Sequence, residues 1–159
     1  MKRELYEKLY AKYPDIFQEG KLTPFQSCMG RGIECDDGWY DLLDNLCNIL
    51  QIVYTDTGVL TIARQVKEKF GTLRFYVGFK NTGDITDARF QAYCTLLDNT
   101  IENYCGKSSE ICEVCGEDKT AKMRNSMPWI RCLCDEHEAA RLAEYNIKNL
   151  PDEKEIIDS

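Results

Sequence analysis

The stretch Ile62-Ala-Arg-Gln-Val-Lys-Glu-Lys-Phe-Gly-Thr-Leu-Arg-Phe-Tyr-Val-Gly-Phe79 decides the fold class, because within it the apolar pattern settles to a period of two. Leu73, Phe75, Val77 and Phe79 alternate with Arg74, Tyr76 and Gly78, the spacing of a strand with one buried face. Ile62 to Val66 is a partner strand, and Gly71 between the two tolerates the positive φ of a tight turn. The reading is an antiparallel hairpin. Its polar side displays Arg64 and Arg74, with Lys67 and Lys69 near the tip beside Phe70 and Tyr76.

On both sides of this hairpin the period is helical. Residues 3–13 place Leu5, Leu9 and Tyr13 on one face and stop at Pro14, which forces the preceding residue to be extended. A glycine-punctuated loop, Gln18 to Gly38, follows; its Cys28 and Cys35 fit no metal spacing and read as reduced thiols. Asp36 or Asp37 is placed to cap a helix that carries Trp39, Leu42, Leu43, Leu46, Ile49, Leu50 and Val53 on one face. After the hairpin, Thr86 to Cys105 reads as a helix covering the sheet through Phe90, Tyr93, Leu97, Ile101 and Tyr104, with Gly106 as its stop.

The C-terminal third carries the clearest chemistry. Cys112-Glu-Val-Cys115-Gly116 has the spacing with which two thiolates grip one ion from a single turn, and Cys134-Asp-Glu-His137 repeats that spacing where a helix begins. Between them, Lys119–Arg124 and Trp129–Leu133 can pair around Asn125-Ser-Met-Pro128. A cysteine turn, a hairpin and ligands at a helix start are the layout of a treble-clef-like zinc module. Cys132, two residues before Cys134, is an alternative ligand, since neighbours at that spacing on a strand share a side. The expected ligands are Cys112, Cys115, Cys134 and His137 around a structural Zn2+.

The fold class expected is therefore α+β: helices packed on a small antiparallel hairpin, with a zinc module attached. The division is a body over residues 1–108, the metal module over 109–150 and an acidic tail over 151–159. A chain of 159 residues, 43% apolar, is long enough for one substantial core. Nine cysteines, an odd number behind an N-terminus charged from its second residue, point to ligation and reduced thiols in the cytoplasm rather than to a secreted disulfide framework.

Charge narrows the function classes. A net −7 argues against wholesale coating of nucleic acid or of an anionic membrane. Residues 64–80 nevertheless hold Arg64, Lys67, Lys69, Arg74 and Lys80 against Glu68 alone, a local +4 that leaves −11 on the remainder. Basic and aromatic residues together are what a single-strand binding surface uses, and Lys119, Lys122, Arg124 and Arg131 of the metal module can extend it. The carboxylates Glu34, Asp36, Asp37, Asp41 and Asp44 admit a metal-dependent nuclease reading, which ranks below capping and a solvated helix face. Four protein ligands close a zinc shell, and the only histidine is one of them, so no enzyme is expected.

Several strings together, Gly32-Ile-Glu-Cys35, Asp37-Gly-Trp39, Val66 to Tyr76 and the Cys112/Cys115 with Cys134/His137 finger, carry a resemblance over roughly residues 30–140. The chain resembles a group of small, functionally unassigned proteins of bacteriophages and prophage-bearing bacteria. The resemblance implies a phage accessory protein acting inside a bacterial cell, similar in kind to phage inhibitors of host immunity such as anti-CRISPR proteins. It transfers no catalytic residue. The expected partner is a host protein, met by Arg64, Lys67, Lys69 and Arg74 of the hairpin and by Asp36, Asp37 and Trp39.

Overall fold

A computed structural model describes residues 1–148, so the expected acidic tail lies outside the described residues. The hairpin is its centre. Strand β1 (Val59–Lys69) pairs antiparallel with β2 (Thr72–Asn81), in the register Lys69↔Thr72, Lys67↔Arg74 and Val59↔Asn81. The turn residues Phe70 and Gly71 have φ of 55° and 74°, the double positive φ of the two-residue turn whose twist matches a hairpin. Gly71 suits that backbone. Phe70 does not, since a bulky side chain in the left-handed region carries strain on the order of 1–3 kcal/mol.

β1 starts three residues earlier than its alternation suggests. Val59 to Ala63 are buried consecutively, and the register shifts between Ala63 and Gln65, which leaves Arg64 as the extra residue of a bulge. The outer edge of β1 is occupied as well. Ala63 N–H donates to Ile16 O at 2.8 Å, and Glu34 bridges the strand by Glu34 N–H to Val66 O and Glu68 N–H to Glu34 O. A covered edge offers no template for another strand.

Helices α1 (Arg3–Lys12), α2 (Tyr40–Thr57) and α3 (Asp87–Lys107) build the rest of the body. α2 packs on β1 and α3 on β2, around Leu43, Leu46, Leu50, Leu73, Leu97 and the fully buried Trp39. Neither Asp36 nor Asp37 caps α2: a 3-10 turn, Asp37–Trp39, leads into the helix without a side-chain cap. The cap expected there is found at α3, where Thr86 Oγ1 accepts from Arg89 N–H at 3.4 Å. Gly106 does not stop α3, because the chain stays right-handed through Ser108 and passes straight into a further 3-10 turn.

The C-terminal module holds β3 (Lys122–Arg124), β4 (Arg131–Leu133) and α4 (Asp135–Lys148), so the described residues contain four α-helices and two small antiparallel sheets, an α+β arrangement. Core packing does not stop at residue 108, since Cys132 belongs to the main cluster and Ile111 and Ala121 pack against it. No helix among the described residues is long and apolar enough to cross a membrane.

Ser108 ties the body together from a fully buried position. Its Oγ accepts from Leu73 N–H at 2.8 Å and donates to Cys105 O. Ser108→Ala strands a buried amide and should lower the denaturant-unfolding free energy by about 1–3 kcal/mol. Asp44 adds an acid-sensitive tie between α1 and α2. Partial burial disfavours its charge, but Lys12 Nζ at 2.7 Å and Tyr13 OH at 2.9 Å outweigh that and hold the carboxyl below its usual range. Its contribution is full above an ordinary aspartate pKa of about 4 and is lost as pH falls through the lower folded value. Asp44→Asn should therefore destabilise the protein at neutral pH and flatten the acid limb of its stability curve.

Candidate metal centre

The turn after α3 brings the first two ligands together. Gly116, at φ 81°, lets its own N–H fold back to Cys112 O at 2.8 Å, and this places Cys112 and Cys115 on one side of the turn. Cys134 follows β4 directly and its carbonyl accepts from Glu138 N–H at 3.0 Å, so Cys134 stands at the entrance of α4 and His137 lies within the first turn.

These four residues converge, with their ligand atoms all within 4.8 Å of one another. Cys115 Sγ is 3.9 Å from Cys134 Sγ, and His137 Nδ1 is 3.7 Å from Cys112 Sγ and 3.1 Å from Cys134 Sγ. Around a tetrahedral zinc, two sulfurs stand about 3.8 Å apart and a sulfur and a nitrogen about 3.6 Å apart. The donor set and its spacing can hold a metal ion and are consistent with zinc. Burial disfavours the Cys112 thiolate, yet the amides of Cys134, Cys115 and Val114 point to its sulfur and bring its pKa below the ordinary thiol value.

Cys132 is not among the converging ligands. It faces the main core, fully buried, where burial pushes its thiol up to about 11. Strand pairing explains the separation: Cys132 lies opposite Met123 inside the ladder, whereas Cys134 has already left it. Cys28 and Cys35 belong to no disulfide, and neither do the other seven cysteines; burial raises the Cys35 thiol to about 12.

Comparison with protein-family models, with curated proteins and with solved structures gives no match for this chain.

The residues expected to meet a partner divide into two groups. Trp39 is fully buried and its Nε1–H donates to Ile111 O at 2.9 Å, so its ring is unavailable to a partner. Asp37 accepts from Lys2 N–H at 2.7 Å and pairs with Lys2 Nζ at 2.9 Å. Asp36 pairs with Arg131. Trp39 is thus an internal support of the metal turn and not a contact residue, whereas Asp36 and Asp37 are partly exposed with their carboxylates engaged in these ion pairs. On the hairpin, Arg64 pairs with Glu19, whereas the cations of Lys67 and Lys69 lie over the rings of Tyr76 and Phe70.

Carboxylates 34–44 do not gather either: Glu34 meets Gln65, Asp36 meets Arg131, Asp37 meets Lys2 and Asp44 meets Lys12. Among the described residues the Cys112, Cys115, Cys134 and His137 group is the one cluster of three or more potential ligands.

Two supports of the turn carry no signal in the sequence pattern. Gly38 lies against it so closely that an added Cβ would stand 2.3 Å from Cys112 O and 2.4 Å from Gly116 N, and Gly38 N–H donates to Glu113 O at 2.8 Å. Glu113, between the two cysteines, is 3% exposed; its carboxylate accepts from Asp36 N–H at 3.2 Å and pairs with Arg131 at 2.9 Å. Burial lifts the Glu113 carboxyl above its ordinary range despite Arg131. No periodicity marks either residue; the one hint is Asp37-Gly-Trp39 standing among the strings of the resemblance.

Elemental analysis separates the two candidate third cysteines. Wild-type protein should carry about one metal ion per chain, Cys134→Ser should lose it, and Cys132→Ser should keep it. Retention by Cys134→Ser together with loss by Cys132→Ser would reverse the assignment.

Proposed function

We propose that this protein is a non-enzymatic accessory factor that acts by binding inside a bacterial host cell, with one zinc ion as a structural staple. In its leading form it is a phage-type inhibitor of host antiviral defence, anti-CRISPR-like, whose target is a host protein. The observation that carries the reading is the ligand set. Three thiolates and the only histidine supply four donors to one point, and four protein donors fill a tetrahedral shell. A catalytic zinc keeps one position for water, and general-base work at neutral pH most often falls to a histidine.

The order of parts supports a treble-clef-like module: Cys112/Cys115 on a turn, β3 and β4 as a hairpin, then Cys134 and His137 at the start of α4. Its role is to fix Ile111, Glu113 and Arg131 against the body. Those residues contact Trp39, Gly38 and Asp36, so the staple shapes the neighbouring surface as well as itself.

A second target class has a specific observation in its favour. Lys67, Lys69, Arg74 and Tyr76 share the outer face of the hairpin, the face that a nucleic-acid-binding accessory protein would use. Recovery of the tagged protein from host lysate, with and without nuclease treatment, distinguishes the two. The leading form predicts a host protein retained after nuclease. Retention of nucleic acid alone, lost steeply as salt rises, would replace it with the second.

A further inference from the structure

Between the hairpin tip and the metal module lies an apolar cleft of about 370 Å³, walled by Lys67, Lys69, Phe70, Pro128, Trp129 and Ile130. Phe70 is 63% exposed and Trp129 is 66% exposed. Single exposed apolar residues are ordinary, but here two large rings from different elements border one cleft. The seam beneath them is tight: a Cβ on Gly71 would stand 2.5 Å from Met123 Cε and 3.1 Å from the Arg131 carbonyl carbon, so the tip is seated on β3 and β4.

The backbone supplies an independent observation. Phe70 occupies the first position of a turn that prefers asparagine or glycine, with φ 55°, where a bulky residue is an outlier. Its ring gains little packing in return, being mostly exposed. A strained aromatic without a packing role is what a contact residue looks like.

Cations complete the pattern. Lys67 Nζ stands 5.8 Å from the Tyr76 ring centroid and Lys69 Nζ 5.2 Å from that of Phe70, and the pairing Lys67↔Arg74 adds a third cation to the same face. Glu68 also borders the cleft, but its Oε1 is engaged by Gly71 N–H at 2.6 Å. An acidic peptide would use the cations and leave the rings idle, and an apolar peptide the reverse. A single nucleic-acid strand offers an anion and a flat π face in every residue and so uses both, whereas in a duplex the base faces are already stacked.

We infer that this seam is a binding site for single-stranded nucleic acid, with Phe70 and Trp129 stacking on bases and Lys67, Lys69 and Arg74 holding phosphates. The inference rests on the nucleic-acid reading of the hairpin given above and narrows it to one place, half of which is set by the metal module. Both walls of the seam are basic in sequence, +4 over residues 64–80 and Lys119, Lys122, Arg124 and Arg131 with no carboxylate over residues 119–134, whereas the rest of the chain is strongly acidic, which favours this seam for a phosphate strand.

The test is titration of the full-length, metal-loaded protein with labelled oligothymidylate and oligouridylate of about 12 residues, a length within the range of known single-strand sites. Binding should quench Trp129, the exposed one of the two tryptophans. Phe70→Asn is the decisive variant: asparagine tolerates the left-handed turn, so the melting temperature should hold or rise while affinity falls at least about tenfold. Trp129→Ala should weaken binding similarly, and Lys67→Gln with Lys69→Gln should make the log–log salt slope shallower by about 0.7 for each phosphate no longer neutralised. The preferred oligonucleotide identifies DNA or RNA as the source of the strand. Unchanged affinity in both aromatic variants would overturn the seam while leaving a hairpin site in place. Equal competition by polyglutamate or by duplex would overturn the stacking role, and absence of binding at low salt would remove the nucleic-acid reading altogether.

Discussion

The constraint on which the metal turn depends is the contact of two backbones. Gly38 lies flat on the Cys112–Gly116 turn, with no room for even a methyl group between them. Around that contact Trp39 Nε1–H reaches Ile111 O, Gly38 N–H reaches Glu113 O, and the Asp36–Arg131–Glu113 group closes the far side. Such a group is costly to bury in part, since one missing partner leaves a charge uncompensated. The body and the metal turn therefore stand or fall together, although they are separate in sequence by more than seventy residues.

The metal ligands and this contact are mutually dependent. Four side chains on two turns can converge only if both turns are held, and the cysteine turn is held from two sides, by the loop ahead of α2 through Gly38 N–H to Glu113 O and by β4 through Glu113 N–H to Cys132 O. In return, an ion bound by the four ligands would fix the turn that Trp39 and Gly38 need beneath them. Structural zinc works in this way because its binding free energy becomes folding free energy for whatever the ligands organise. The same coupling reaches the hairpin tip, since Gly71 rests on Met123 and Arg131 of the strands that lead to Cys134.

Local patterns are legible in the sequence and long-range partnerships are not. The alternation Leu73, Phe75, Val77, Phe79 marks β2, and the helical spacing of Leu42, Leu43, Leu46 and Leu50 marks the buried face of α2. Cys112, Cys115, Cys134 and His137 are legible because ligand chemistry imposes a spacing. Trp39 reads wrongly as a contact residue because an indole at the start of a helix looks the same in sequence whether it meets a partner or Ile111. Asp36 and Asp37 look like caps because capping is the local use of such residues, yet their partners, Arg131 and Lys2, lie outside the helix that they precede. The early start of β1 is hidden by burial on both sides, which erases alternation, and Gly106 misleads because a glycine stops a helix only where the backbone turns left-handed.

The central claim, that the metal turn and the body form one cooperative unit, is tested most directly by amide hydrogen exchange on metal-loaded and chelated protein. Removal of the ion should deprotect the Gly38 and Asp36 amides, which donate to Glu113, together with the amides of the Cys112–Gly116 turn. Loss of protection confined to residues 112–148, with Gly38 and Asp36 still protected, would contradict it.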